Sequence, residues 1–229
     1  MTYWLPLESN PDVMNKFLYN LGVPKKWQIV DVYGLDPDLL AVVPQPVLAL
    51  LLLFPISEKY EQYCAAQDAQ IKEKGQTLSP EVFYMKQFVH NACGTVALVH
   101  SVANNTDKIQ LEDGVLKKFI DDGKSLTPEQ RGELLQNNEG VSSAHQSLAL
   151  EGQSEAPDPS EPVNFHFIAF VCKDGQLYEL DGRRSFPINH GASSPDTLLE
   201  DGVRVVREYM SRDPDDIRFT VTALTGGAE

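Results

Sequence analysis

The sequence predicts an α+β fold in which helices cover a central sheet with mixed or antiparallel strands. Strand-like and helix-like segments follow one another without the regular βαβ alternation that a parallel sheet requires. Segments 165–172 and 177–180 are separated by a turn containing Asp174-Gly175, a pair typical of tight antiparallel hairpins. The run 47–54 is apolar on both faces and predicts a central, covered strand, although its periodicity fits a buried helix equally well.

Capping and turn residues place the other elements. Asn10 and Pro11 have the arrangement of an N-cap and a first helical residue, and Gly22 ends that helix. Residues 27–33 alternate and include β-branched side chains, which predicts a strand. Similar patterns predict helices at 35–40, 57–74, 115–120, 127–136 and 194–210, a short helix beginning at Ser79, and a last strand at 219–224.

Composition excludes several classes of function. The chain has 229 residues, 42% of them hydrophobic, enough for one large domain or two small ones. Its net charge of −14 argues against nucleic acid and anionic membranes as partners and fits a basic protein or peptide, although solubility alone is a sufficient reason for such a charge.

The cysteines and the chain start indicate a compartment. The three cysteines, Cys64, Cys93 and Cys172, are scattered and form no CxxC, so neither a disulfide framework nor a zinc ribbon is indicated. The amino terminus lacks the basic and apolar regions of a signal peptide, and the apolar run is far shorter than the roughly 20 residues of a membrane helix. We therefore expect a soluble protein of the cytoplasm, with the nucleus as a second location.

The stretch 87–104 contains a cysteine at a predicted helix start. Cys93 precedes an apolar pattern of helical spacing, and Asn91 fits the N-cap. Cys93 would lie in the first turn, where free N–H groups and the helix dipole favour a thiolate. Because cysteine is also a common core residue, this local pattern fits an activated nucleophile and a small buried side chain equally well.

The hairpin brings a histidine and an aspartate together. If the turn is centred on Asp174-Gly175, partners have residue numbers that sum to 349, so His166 and Asp181 are diagonal neighbours on one face. This inference depends on an even loop length. Such a pair is either a structural hydrogen bond or part of a Cys–His–Asp arrangement with Cys93.

Other histidines are weaker candidates for this chemistry. His90 and His100 flank the cysteine helix without a partnered acid, and His145 and His190 lie in polar segments. The scattered spacing of the five histidines argues against a metal site, so we expect no metal or other cofactor.

A glutamine six residues before the cysteine completes the constellation. The Gln87 amide can donate to a developing oxyanion together with the backbone N–H of Cys93. Alone this signal is weak, since most glutamines are solvated. With Cys93, His166 and Asp181 it is the set of a cysteine peptidase, in the chain order Gln, Cys, His, Asp.

Several long motifs carry a family resemblance. They are WLPLESNP at 4–11, WQIVDVYGLDP at 27–37, LLLFPISEKYE at 51–61, NACGT at 91–95, FHFIAFV at 165–171 and LYELDGR at 177–183. The whole chain resembles the small, single-domain ubiquitin carboxyl-terminal hydrolases. The resemblance implies one papain-like domain over 1–229, with a central antiparallel sheet, helices on both sides and a knotted backbone.

The resemblance also implies an activity and roles for the site residues. Cys93 is the expected nucleophile, His166 the general base and acid, Asp181 the orienting acid and Gln87 the oxyanion donor. The expected monomer hydrolyses amide, ester or thioester bonds at the carboxyl-terminal glycine of ubiquitin, releases small adducts or unfolded extensions, and processes ubiquitin precursors. Related modifiers are alternative partners. A ubiquitin-binding module with little turnover and an acidic scaffold with a merely structural cysteine are the competing hypotheses.

The polar, proline-rich segment 150–162 must be an exposed loop or a linker between domains, and the interior-like strand after it favours a loop. By resemblance it belongs to a crossover loop over about 143–163. The residues expected by resemblance to contact ubiquitin are Pro6, Leu7, Glu8, Ser9, Asn10, Pro11, Asp31, Ala149, Leu150, Glu151, Gly152, Gln153, Ser154, Glu155, Ala156 and Asp216. The arginine-bearing tail of ubiquitin would give the negative charge a specific use.

Overall fold

A computed structural model describes residues 4–153 and 163–227. Its strands are β1 (Trp27–Asp31), β2 (Val47–Pro55), β3 (Phe165–Lys173), β4 (Gln176–Leu180), β5 (Ile188–Ala192) and β6 (Thr220–Gly226). They form one six-stranded sheet in the order β1-β6-β2-β3-β4-β5. Every neighbouring pair is antiparallel, which confirms the antiparallel alternative of the predicted fold class.

Helices cover both faces of this sheet. They are α1 (Pro11–Asn20), α2 (Pro37–Leu40), α3 (Glu58–Lys74), α4 (Cys93–Ala103), α5 (Val115–Gly123), α6 (Pro128–Gln136), α7 (Glu139–Ala149) and α8 (Leu198–Arg212). One core joins a sheet face to α1, α4, α5 and α7, and a second core joins the other face to α2 and α8. In the described part of the chain, no helix has the length and apolar character needed to cross a membrane.

The predicted helix starts are confirmed where a side chain caps the first turn. The Asn10 side chain accepts from the Asp12 N–H at 3.0 Å, and Ser57 accepts from Tyr60. Thr127 and Gln130 bond reciprocally in a capping box. These caps satisfy amide groups that a helix leaves unpaired at its start.

The hairpin has the predicted register. Asp174 and Gly175 have φ values of 47° and 74°, as a type I′ turn requires. Lys173 faces Gln176 and Ala169 faces Leu180, so partner numbers sum to 349. The run 47–54 is the predicted central strand, since β2 pairs with both β3 and β6.

The helix predicted from Ser79 is absent, and only a turn occurs at 80–81. The Ser79 N–H donates to the Tyr178 hydroxyl at 2.9 Å, and the Ser79 hydroxyl donates to the Asp174 carboxylate. The Ser79 hydroxyl also accepts from the Glu81 N–H at 3.1 Å, so it caps only this short turn while tertiary contacts hold the segment against the hairpin.

Two elements had no counterpart in the sequence-based prediction, α7 and β5. Helix α7 covers 143–149, where the crossover loop was expected to begin. Its buried face has only Val141, His145, Leu148 and Ala149 among glycine, serine and polar residues, a weak helical signal. In the rest of the expected loop, residues 150–153 and 163 belong to no helix or strand, and residues 154–162 lie outside the described residues.

Amide side chains occupy both edges of the sheet. Asn15 accepts from the Ile29 N–H at 2.6 Å and donates to the Ile29 carbonyl at 2.9 Å, on the outer side of β1. Gln76 bonds in the same way to the Asn189 N–H at 3.0 Å and the Pro187 carbonyl at 2.6 Å, beside β5. Because free strand edges recruit strands from other molecules, these amides favour the expected monomer.

Candidate active site

Helix α4 begins at Cys93 with an uncapped first turn. The predicted cap, Asn91, is wrong: Asn91 has a left-handed φ of 61°, and Ala92 occupies the N-cap position without a side-chain bond. The first-turn amides therefore have no side-chain acceptor from the cap and generate positive potential at the thiol. Cys93 is only 8% exposed, so this potential acts in a medium of low dielectric constant.

The hairpin and β3 bring the expected histidine and aspartate into contact. His166 Nε2 lies 2.6 Å from Asp181 Oδ1, and the side chains are 3% and 0% exposed. An ionised carboxylate only accepts hydrogen bonds, so Nε2 carries the proton. The Nδ1 atom is then the ring nitrogen that remains for Cys93.

Charges within this group set its protonation states. Burial alone favours a neutral imidazole, but the charge and hydrogen bond of Asp181 raise the pKa of His166 to about 10. Burial alone would raise the pKa of the Cys93 thiol, yet the hydrogen bond and charge of His166 lower that pKa. Burial likewise opposes ionisation of Asp181, but His166 lowers the pKa of Asp181 to about 2. These shifts favour a thiolate–imidazolium pair at neutral pH.

Gln87 lines the same cleft, of about 510 Å³, as Cys93 and His166. Its backbone N–H donates to the Gly182 carbonyl at 2.9 Å. Its Nε2 donates to the Val89 carbonyl at 3.1 Å, which leaves a second amide hydrogen. A Cβ on Gly182 would lie 2.9 Å from Gln87 Cβ. The glycine after Asp181 therefore permits the close approach of the glutamine segment.

Tyr60 is a site residue that sequence reasoning missed. Its hydroxyl donates to Asp181 Oδ2 at 2.7 Å, while Oδ1 accepts from the Arg183 N–H at 2.9 Å as well as from His166. The Tyr60 ring packs against Phe54 with centroids 4.8 Å apart. No local pattern signals this role, because Tyr60 and Asp181 are 121 positions apart.

The other histidines have structural partners. His100 is fully buried and accepts from the Met85 N–H at 3.0 Å, and burial lowers the pKa of His100 to about 3. His145 is likewise fully buried. His190 Nε2 lies 2.7 Å from Glu179. Thus His145 and His190, although they lie in polar segments of the sequence, have partners inside the protein. Within 4–153 and 163–227, no cluster of histidine, cysteine and carboxylate side chains could hold a metal.

The residues expected to contact ubiquitin fall into several groups. One depression of about 570 Å³ is lined by four residues of the amino-terminal segment, Glu8, Ser9, Asn10 and Pro11, together with Asp31 and Gln153. Leu7 and Ala149 are buried, so their side chains belong to the core. Asp216 lies in another depression, where it pairs with Arg218 at 2.6 Å. Ser154, Glu155 and Ala156 lie outside the described residues.

Residues 149–153 contact the amino-terminal segment directly. Glu8 accepts from the Gln153 N–H at 2.6 Å, and a Cβ on Gly152 would collide with Glu8. Glu151 pairs with Lys16 at 2.7 Å. Leu150 is 69% exposed. The two expected recognition segments therefore form one surface.

Two exposed side chains near these depressions were not predicted. Tyr33 is 80% exposed and lines the larger depression, and Ile217 is 89% exposed beside Asp216. Large exposed apolar side chains beside a polar depression are typical of protein interfaces. Sequence alone carried no signal that they would face solvent.

Comparison with known proteins places this site in a family. The sequence model of ubiquitin carboxyl-terminal hydrolase, family 1, matches residues 4–211. The chain belongs to the ubiquitin carboxyl-terminal hydrolase family. A family member from Drosophila melanogaster is 50% identical over 100% of both chains. The human isozyme L1 is 48% identical over 97% of this chain and 98% of its own length.

Solved structures from this family share the fold. The Trichinella spiralis UCH37 catalytic domain, bound to ubiquitin vinyl methyl ester, has a TM-score of 0.78 at 23% identity and covers 98% of this chain and 96% of its own. A second structure of UCH37 from that organism has a TM-score of 0.71 at 22% identity, over 97% and 81% of the two chains. These matches confirm the predicted papain-like α+β class.

The pKa shifts predict how Cys93 reacts with pH. We expect its iodoacetamide alkylation rate, followed by peptide mass spectrometry, to rise with a midpoint below the ordinary thiol pKa. Cys64 and Cys172 should react at higher pH, because burial raises the pKa of each. In Asp181→Asn the pKa of His166 falls, so the Cys93 midpoint should move up. An unchanged midpoint would contradict the ion pair.

Tyr60→Phe should weaken this ion pair while keeping the ring packing. Loss of a hydrogen bond to a buried carboxylate should lower the free energy of unfolding by about 1.5–3 kcal/mol. With Asp181 less well held, we expect the Cys93 alkylation midpoint to move toward the ordinary thiol value. Tyr209→Phe is the matched control, since Tyr209 donates to buried Glu179 at 2.7 Å. It should destabilise the protein comparably and leave the midpoint in place. Equal shifts in both variants would exclude a specific role for Tyr60.

Proposed function

We propose that this protein is a thiol-dependent hydrolase of bonds at the carboxyl-terminal glycine of ubiquitin. The observation that carries the proposal is the meeting of Gln87, Cys93 and His166 in one cleft, with Asp181 behind the imidazole. Family membership supplies the substrate class, because relatives that match over the full length are named ubiquitin carboxyl-terminal hydrolases.

The geometry supports acyl transfer in two steps. The Cys93 thiolate attacks the carbonyl carbon of the terminal glycine, and the oxyanion accepts from the Cys93 N–H and the Gln87 amide. His166 then gives its proton to the leaving amine, alcohol or thiol, which leaves a thioester on Cys93. Water, deprotonated by the now neutral imidazole, attacks the thioester and releases ubiquitin with a free carboxylate.

Asp181 and its partners act on the histidine throughout this cycle. The carboxylate holds the imidazole in the tautomer whose Nδ1 faces the thiol, and it stabilises the imidazolium before and after attack. Tyr60 and the Arg183 N–H in turn hold the carboxylate. Because every one of these atoms is fixed by a neighbour, little reorganisation accompanies proton transfer.

Recognition of ubiquitin is assigned to the surface around the amino-terminal segment. The depression there contains the carboxylates of Glu8, Asp12 and Asp31 and the exposed Tyr33 ring. Such a surface suits a basic partner with an apolar patch. The net charge of −14 adds long-range attraction for an arginine-bearing tail.

Cys93→Ala tests the chemistry. The variant should show no detectable hydrolysis of a ubiquitin carboxyl-terminal reporter amide, because Cys93 is the one cysteine, serine or threonine among the described residues that line the cleft. Ubiquitin binding by calorimetry should stay within about threefold of the parent. The parent should also be labelled at Cys93 by ubiquitin vinyl methyl ester. Retained turnover in Cys93→Ala would refute the assignment. Binding without turnover in the parent would favour the ubiquitin-binding module.

Asp31→Lys tests the recognition surface. Reversal of a charge that faces a basic partner should raise KM for the same reporter by about tenfold with kcat nearly unchanged, and added salt should reduce the difference. Asp196→Lys is the control, because Asp196 is exposed and does not line the depression. This substitution changes the net charge by the same amount. Equal KM changes in the two variants would show that only net charge matters.

A further inference from the structure

His145 joins three segments of the chain inside the protein. It lies on α7 and is fully buried. Its Nδ1 is 2.7 Å from the Thr95 hydroxyl, in the first turn of α4, and its Nε2 is 2.5 Å from the Leu5 carbonyl. The Trp4 ring packs on the imidazole with centroids 4.5 Å apart. His145 is not part of the catalytic group, which consists of Gln87, Cys93, His166 and Asp181.

The partners determine the tautomer of the ring. A carbonyl only accepts, so Nε2 donates to Leu5, and a neutral Nδ1 must then accept from the Thr95 hydroxyl. Burial lowers the pKa of His145 to about 4, which keeps the ring neutral near pH 7. Both ring nitrogens are therefore satisfied in one orientation, so the imidazole acts as a rigid connector between two segments.

His145 lies next to both segments that are assigned to ubiquitin recognition, 6–11 and 149–153. Leu5 immediately precedes Pro6, and His145 is one helical turn before Ala149, where α7 ends. Thr95 is two residues beyond the nucleophile. A Cβ on Gly94 would lie 3.2 Å from Leu7 Cβ, so the amino-terminal segment packs directly on the first turn of α4. The two segments also contact each other directly, since the Gln153 N–H donates to the Glu8 carboxylate at 2.6 Å.

We propose that His145 is a positioning residue for the substrate: it fixes the segments 6–11 and 149–153 relative to Cys93. This inference rests on the proposed function. Because His145 touches none of the atoms of the catalytic group, loss of its bonds should weaken productive binding of ubiquitin and leave the chemical step intact. The signature is therefore a change in KM without a change in kcat.

The two halves of the imidazole can be tested separately. The amide of asparagine overlaps the Nδ1 side of histidine, and the longer glutamine reaches the Nε2 side. His145→Asn keeps the partner of Thr95 and loses the donor to Leu5, so we expect KM for the ubiquitin reporter amide to rise about fivefold, the effect of one lost hydrogen bond. His145→Gln keeps the donor to Leu5 but loses the acceptor for the Thr95 hydroxyl, which ties His145 to α4, so we expect a similar rise in KM. In both variants kcat and the alkylation midpoint of Cys93 should be unchanged.

A matched control separates positioning from stability. Asn105 is a buried connector at the other end of α4, where its amide donates to the Leu48 carbonyl at 3.0 Å. Asn105→Ala should lower the melting temperature as His145→Asn does, with KM unchanged. If His145→Asn does not fold, Thr95→Val removes the hydroxyl at similar volume and should raise KM in the same way.

The outcomes distinguish this inference from the proposed function. A raised KM in Asp31→Lys together with an unchanged KM in His145→Asn or Thr95→Val would overturn the positioning role alone. An unchanged KM in Asp31→Lys would refute the proposed recognition surface, and with it the basis of this inference. A fall in kcat with an altered Cys93 midpoint would show that His145 supports the nucleophile and would also overturn the inference.

Discussion

The buried contact between His166 and Asp181 is the interaction on which the rest of the site depends. Ionised groups with almost no exposure are unfavourable unless they are paired and fully hydrogen bonded. Here the carboxylate accepts from His166, Tyr60 and the Arg183 N–H. The contact raises the pKa of the imidazole and, through it, lowers the pKa of the Cys93 thiol. The register of one hairpin thus controls the charge of a residue on a distant helix.

The nucleophile helix contributes from its own side. Its first turn has no capping side chain, so its amides direct positive potential toward the thiol and can donate hydrogen bonds to an oxyanion. Gly182, next to Asp181, has no side chain and therefore lets the Gln87 segment approach closely. The Gln87 N–H donates to the Gly182 carbonyl, which connects the segment before the cysteine helix to the residue after Asp181. The same contacts therefore stabilise the fold and position the catalytic side chains, so a substitution that weakens them affects both stability and activity.

The proposed recognition surface is connected to the same helix by separate contacts. The amino-terminal segment packs on the first turn of α4, and α7 is bonded to that turn through His145. The proposed recognition surface and the thiol are consequently linked through contacts to the first turn of α4. Such an arrangement suits an enzyme whose substrate binds over a large area and presents only its flexible tail to the nucleophile, since orientation of the tail then follows from docking of the body.

Much of this protein follows from local sequence. Asp174-Gly175 determined the hairpin register and with it the neighbours His166 and Asp181, and Asn10, Ser57 and Thr127 determined helix starts, because turn and cap chemistry acts over a few residues. The family motifs indicated Cys93 and Gln87. Tertiary structure alone decided the rest: the contact of Tyr60 with Asp181, the loss of a helix at Ser79, the burial of His145 and the exposure of Tyr33 and Ile217. Each of these depends on which distant segment supplies a partner, and a local pattern carries no record of that choice.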